Sequence, residues 1–215
     1  EWLYGYKEID ELGGYDPYSA SKACLEIAVS SWRNSYFKPE MSNQIKIATA
    51  RAGNVIGGGD WADNRIIPDT IKALIANEEL IIRNPLSTRP WQHVLEPLWG
   101  YMVLAKALKV NSNFCEAFNF GPNIKSNRTV KEVVSKIFEY WPGKYTIQKD
   151  SSNFHEATML NLQIDKSFQK LGWSPLMDFD KSIEKTISWY KDVSEGNLSL
   201  DCCIKDINFY ENLLK

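Results

Sequence analysis

The stretch "IKIATARAGNVIGGG", residues 45–59, constrains the fold more than any other part of the chain. Its first six residues form a short apolar run that passes directly into a glycine-rich loop. Such a run reads as a buried strand of a parallel sheet. Just upstream, Asp16-Pro17 is a helix start, with Asp as N-cap and Pro at the first helical position. Ala20, Ala23, Cys24, Ile27, Ala28 and Ser31 follow at helical spacing, and Lys38-Pro39 ends the helix near Phe37. Helix, buried strand and glycine loop in that order define an α/β sheet.

The rest of the chain fits the same class. Residues 1–14 read as loop. Helices are expected at 66–77, 95–108 and 129–141, at 165–175 with Gly172 as the stop, and finally at 178–193. Short strands are expected at 79–83 and 117–122. There are no internal repeats and no low-complexity linker. With 44% hydrophobic residues the 215-residue chain can build a substantial core. A formal net charge of −2 gives no electrostatic footprint for nucleic acid or an anionic membrane. No run reaches the ~18 apolar residues of a membrane span. Cys24, Cys115, Cys202 and Cys203 form no C-x-x-C, and His93 and His155 are the only histidines, so zinc-site spacing is absent. The cysteines read as free thiols in a reducing, cytoplasmic compartment.

Three Tyr-x-x-x-Lys pairs occur: Tyr18/Lys22, Tyr140/Lys144 and Tyr145/Lys149. The second brackets Trp141-Pro142-Gly143, which breaks a helix, and the third lies in a strand-like or loop segment. Only Tyr18 and Lys22 stand at i, i+4 on a capped helix, where side chains are neighbours. A free phenol has a pKa of ~10 and is a weak base at neutral pH, and a neighbouring ammonium favours its ionised form. A tyrosine so placed can take a proton from an alcohol while a cofactor accepts the hydride. A solvated surface pair is the alternative for this segment taken alone.

The glycine loop invites two nucleotide-binding readings, and both fail. No Lys-Ser/Thr follows Gly58-Gly59, so it is not a P-loop. Gly57, Gly59 and Ala62 match a relaxed dinucleotide fingerprint, but no helix opens there and no acidic residue stands at a strand end ~20 residues on. Arg65, Arg83 and Arg89 follow the loop, and arginine forks suit diphosphates because they donate two parallel hydrogen bonds.

"YDPYSASK" resembles the active-site helix of the extended short-chain dehydrogenase/reductase family. That resemblance implies that Tyr18 and Lys22 are the catalytic pair and that both bind NAD. "RAGNVIG" is similar to the R-x-x-N-V-Y-G-P segment of nucleotide-sugar-modifying members, which implies that Asn54 lies beside the nicotinamide and the substrate phosphates. The glycines are expected to let backbone approach a ligand, since they lack Cβ. "RIIPD", "IIRNPLSTRPWQHVLEP" and "NFHEA" follow in order and resemble the family's CDP-glucose 4,6-dehydratase branch. They imply substrate contacts for Arg65, Ile67, Arg83, Arg89, His155 and Glu156. His93 reads instead as a core histidine with a backbone partner.

The implied fold is the C-terminal part of a Rossmann-like parallel-sheet domain plus a smaller mixed α/β substrate-binding domain. Residues 1–57 belong to the first and 58–215 mainly to the second, with 86–122 partly returning to the sheet. The implied reaction is a hydro-lyase cycle of deoxysugar and cell-surface polysaccharide (O-antigen) biosynthesis, converting CDP-D-glucose to CDP-4-keto-6-deoxy-D-glucose and water. Hydride from the sugar 4-position passes to NAD and returns to the 6-position. The elimination also needs an acid and a base, which the resemblance places before Glu1 together with the glycine-rich pyrophosphate turn. The chain is therefore expected to be a C-terminal portion, inactive and weak for NAD by itself, whose strand at 45–50 has lost some sheet neighbours and exposes an apolar edge. Copies of the full-length protein are expected to pair through the Tyr/Lys helix and its neighbour. A nucleotide-sugar epimerase or reductase of the same family, and a non-catalytic nucleotide-sugar-binding protein, remain as alternatives.

Overall fold

A computed structural model describes residues 4–38, 45–148 and 160–215. Helix α1 (Pro17–Tyr36) is followed by strands β1 (Thr49–Ala52) and β2 (Asn54–Ile56), α2 (Ile66–Ala76), β3 (Leu80–Ile82), β4 (Thr88–His93) and α3 (Leu95–Val110). Then come β5 (Ala117–Phe120), β6 (Asn127–Thr129), α4 (Val130–Tyr140), β7 (Tyr145–Ile147), α5 (Asp165–Leu171), α6 (Phe179–Ser194) and α7 (Ser199–Leu213). β1 runs parallel to β5, β2 to β4 and β3 to β7, while β6 runs antiparallel to β4. The α/β expectation therefore holds.

Two larger packing centres follow from these pairings, beside a smaller one of Leu80 and Ile82 of β3 with Val134 of α4. Phe118 and Phe120 of β5 pack with Leu104 of α3 and with Trp173, which follows α5. A larger cluster joins Ile56 of β2, Ile67 and Ile71 of α2, Trp91 of β4, Val133 and Ile137 of α4, and Ile183, Ile187 and Tyr190 of α6. Gln92 of β4 stitches the two together: its Nε2 donates to the Phe120 carbonyl at 2.9 Å. Glu96 does the same for the C-terminal helices. It is fully buried near the start of α3, and its carboxylate accepts from the Leu176 and Met177 N–H groups (2.9 and 2.6 Å) and from the Tyr210 hydroxyl of α7 (2.7 Å). Burial pushes the Glu96 carboxyl up, although all three hydrogen bonds oppose it.

Several elements differ from the sequence reading, and the short strands β2 and β6 were not expected. The strand expected at 45–50 begins only at Thr49, because β5 starts at Ala117 and the chain before it is coiled into a 3₁₀ turn (Ser112–Phe114) that offers no ladder. β4 was not expected. It carries Pro90, but Pro90 falls at the end of the antiparallel pairing with β6, and the parallel pairing with β2 begins one residue later. The helix at 178–193 is not the last: α7 follows and buries only Cys202 and Tyr210, a stripe too thin to show as periodicity. Among the described residues, no helix is long and apolar enough to cross a membrane.

Candidate active site

The helix that carries Tyr18 and Lys22 starts where Asp16-Pro17 predicts. The Asp16 carboxylate accepts from the Tyr18 and Ser19 N–H groups at 2.9 and 3.0 Å, and the Asp16 N–H donates back to Ser19 Oγ. The hydrogen bond from the Ser19 side chain leads the effects that hold the Asp16 carboxyl below its usual range. With the first turn closed, Tyr18 and Lys22 are neighbours as their spacing requires: Lys22 Nζ lies 5.5 Å from the centroid of the Tyr18 ring. Tyr18 is 72% exposed, so its hydroxyl is open to a ligand.

Two contacts give the direction of α1 against the sheet. Glu26, in the middle of α1, accepts from Thr49 Oγ1 (2.8 Å) and Arg51 Nη2 (2.9 Å) of β1. Arg33, near the end of α1, donates to the Cys115 carbonyl, just ahead of β5. The helix thus descends toward the strand starts, and its first turns point toward the carboxyl ends of β1 and β5. Ligands of open α/β sheets bind outside those ends. Asn54 stands there, half-buried, where the chain leaves β1 and joins β2 opposite Trp91. The segment before α1 closes the same end. Glu8 Oε1 accepts from the Asn119 N–H at 2.8 Å, and Asn119 Nδ2 donates to the Tyr6 and Gln163 carbonyls at 2.9 and 3.2 Å.

Three glycines of this segment are packed closely on their neighbours. A Cβ on Gly58 would meet the Trp189 ring at 2.0 Å, one on Gly57 would meet Val94 at 2.8 Å, and one on Gly53 would meet Pro90 at 3.0 Å. Tyr190, beside Trp189 on α6, donates from its hydroxyl to the Asp60 carbonyl at 2.7 Å. Burial leads the effects that push this phenol up to about 12. Arg65, exposed at the N-cap of α2, reaches Asp60 Oδ2 at 3.1 Å.

The remaining residues scatter. Ile67 is 4% exposed in the larger core, which leaves its side chain no surface for a ligand. Arg83 is exposed just after β3. Arg89 is half-buried on β4, with Nη1 donating to the Thr88 carbonyl at 2.8 Å. His93 is a core histidine: it is 2% exposed and its Nδ1 accepts from the Leu95 N–H at 3.4 Å. Burial, then the charge of Lys185, lowers its pKa to about 4. His155 and Glu156 lie outside the described residues. A cleft of about 530 Å³ sits between residues 123–128 and the start of α6, lined by Asn123, Lys125, Arg128, Asp178 and Asp180 among others, and holds none of the residues named from the sequence.

Sequence reasoning missed Glu8 and Glu26. Glu26 stands eight residues after Tyr18 on the same helical stripe, which was a usable signal, but its partner Arg51 could be found only from the packing.

Comparison with known proteins agrees with this geometry. The chain belongs to the NAD dependent epimerase/dehydratase family, whose profile matches residues 6–113. It is 43% identical over 214 residues to the CDP-glucose 4,6-dehydratase of Salmonella typhimurium, an alignment covering 98% of this chain and 60% of that protein. The crystal structure of dTDP-glucose 4,6-dehydratase from Bacillus anthracis in complex with NAD superposes with a TM-score of 0.72 at 20% identity, covering 90% of this chain and 58% of that one. DesIV, a dTDP-glucose 4,6-dehydratase from Streptomyces venezuelae solved with NAD bound, gives 0.73 at 18% identity, covering 87% and 55%. At these identities the two structures speak to the fold. The chain spans about 60% of the length of the Salmonella relative.

Proposed function

We propose that this chain carries the redox half of a CDP-glucose 4,6-dehydratase site. The observation that carries the reading is the Tyr18–Lys22 pair, capped, exposed and aimed at the strand carboxyl ends, in a chain 43% identical to such an enzyme over 98% of its length. The full-length protein converts CDP-D-glucose to CDP-4-keto-6-deoxy-D-glucose and water. Residues 1–57 form part of the cofactor domain and 58–215 mainly the nucleotide-sugar domain, with 86–122 partly returning to the sheet. The packing of α3 and β5 around Phe118 and Phe120 supports that return.

The residues present fit NAD. An exposed phenol, an ammonium beside it and the carboxamide of Asn54 make a donor set suited to ribose hydroxyls and a nicotinamide amide. NAD supplies the hydride acceptor of the first step and the donor of the last. Tyr18, beside the Lys22 side chain, acts as the general base toward the sugar 4-hydroxyl. The resulting 4-ketone acidifies the 5-position, so water can leave across the 5,6 bond. Arg65, Arg83 and Arg89 bind around the nucleotide diphosphate and ribose, and His155 and Glu156 are assigned to the nucleotide by the resemblance alone. Ile67 can contribute only backbone. The setting is cytoplasmic, and the full-length protein is a homo-oligomer.

The test is turnover of CDP-glucose by the full-length protein, with the sugar product read by NMR. Tyr18→Phe lowers kcat by ~10²–10⁴-fold, the range for loss of a general base. An unchanged rate removes the catalytic assignment, and a 4-epimer product in place of the 4-keto-6-deoxy sugar favours the epimerase alternative.

A further inference from the structure

The sheet-facing stripe of α1 is unusual in its chemistry. It runs through Ala20, Ala23, Glu26, Val29 and Arg33; Ala23 is the one fully buried residue of the helix and Val29 is half-buried. Within this chain the stripe buries little apolar area, with Val29 its one branched apolar side chain. Polar contacts hold it as well. One is the Arg33–Cys115 hydrogen bond at the far end. The other is Glu26, whose Oε2 accepts from both Thr49 and Arg51 of β1. Glu26 and Arg51 are only 13% and 22% exposed in their side chains, so this charge-assisted contact is shielded from water. Burial alone would raise the Glu26 carboxyl, but the hydrogen bonds from Arg51 and Thr49 and the charge of Arg51 outweigh it and hold the group below its usual range.

We infer that Glu26 is the positioning residue of the Tyr18–Lys22 pair, clamping α1 to β1 through Arg51 and Thr49. The inference rests on the catalytic reading of that pair given above. Lys22 lies one turn and Tyr18 two turns ahead of Glu26, about 6 and 12 Å along the axis. A tyrosine hydroxyl stands about 9 Å from a helix axis, so a 20° rotation of α1 moves it by about 3 Å. A misplacement of about 1 Å can cost a reaction ~10²-fold. Arg51 is also three residues before Asn54, so one clamp sets the helix residues and the strand-end residue relative to each other. Glu26 touches no substrate in this account. It acts through the placement of Tyr18.

The experiment has two arms in the full-length protein. In the first, amide hydrogen exchange is followed with no substrate present. Glu26→Ala speeds exchange along residues 17–36 while leaving α4 and α6 unchanged, and Glu26→Gln, which keeps an acceptor for Thr49 and Arg51, restores most of the protection. Unaltered protection of α1 in Glu26→Ala overturns the inference. In the second arm, Glu26→Ala lowers kcat by about 30–100-fold with KM within about threefold, and costs nothing further in a Tyr18→Phe background. Full additivity of the two substitutions also overturns it. The two readings fail separately. If Tyr18→Phe turns over normally while Glu26→Ala still loosens α1, the catalytic assignment falls and the clamp stands.

Discussion

Gly58 lies directly beneath the indole of Trp189: a Cβ built on the glycine would fall 2.0 Å from the ring. The loop that follows Asn54 is thus seated on α6, more than 100 residues further along the chain. Tyr190 holds the same loop at the Asp60 carbonyl, and Asp60 in turn holds Arg65. Gly58→Ala therefore overpacks against a rigid aromatic ring and destabilises the fold by about 1–3 kcal/mol. Denaturant unfolding of the two proteins measures it, and equal midpoints would show that the loop is not seated on Trp189.

Glu96 should be the most sensitive carboxylate. Glu96→Ala leaves the buried Met177 N–H, the part-buried Leu176 N–H and the Tyr210 hydroxyl without their acceptor, and each buried group left unsatisfied costs about 1–3 kcal/mol. Glu96→Gln keeps an acceptor and loses less. Because the folded-state pKa is raised, the ionised form is the costly one, so this group's contribution weakens as pH rises from the unfolded carboxyl value through the folded one. Unfolding of Glu96→Gln at several pH values should lack that component.

His93 has the opposite sign. Its imidazole is neutral in the fold, with a pKa of about 4, and takes up a proton on unfolding below its ordinary value of 6.5. Its contribution is full above pH 6.5 and falls as pH drops toward 4, by about 1.4 kcal/mol per unit at most. His93→Gln should flatten the stability profile in that window, whatever its own cost to the core. A wild-type profile level between pH 6.5 and 4.5 would contradict the burial of a neutral imidazole.

In the proposed site one ammonium serves both Tyr18 and the NAD ribose, so Lys22→Met should lower kcat of the full-length protein by ~10²-fold or more and weaken its affinity for NAD. Equilibrium titration with NAD separates the two effects. Loss of turnover with unchanged NAD affinity would restrict Lys22 to the proton-transfer role.

Local chemistry made much of this legible before any contact was known. Asp16-Pro17 and its capping partner Ser19 start α1 at the expected residue, and Gly172, in the left-handed region at φ 65°, stops α5. The i, i+4 spacing put Lys22 against Tyr18. Such signals are short-range, and the backbone obeys them nearly independently of the rest of the chain. α7 and β4 were not legible. A helix that buries two side chains has almost no periodicity, and a strand containing Pro90 is permitted only where its neighbours leave that position unpaired on the N–H side.

By itself the sequence determined the α/β class, the capped helix and the pairing of Tyr18 with Lys22, because each depends on residues within a few positions of one another. Tertiary structure decided which end of the sheet that pair faces, through Glu26 and Arg51 and through Arg33 and Cys115. It also decided that Ile67 is core and that Gly58, Gly57 and Gly53 make room for Trp189, Val94 and Pro90. Those outcomes join residues tens to more than a hundred positions apart. Only the packed chain brings such groups within contact distance, where burial and hydrogen bonding can act on them.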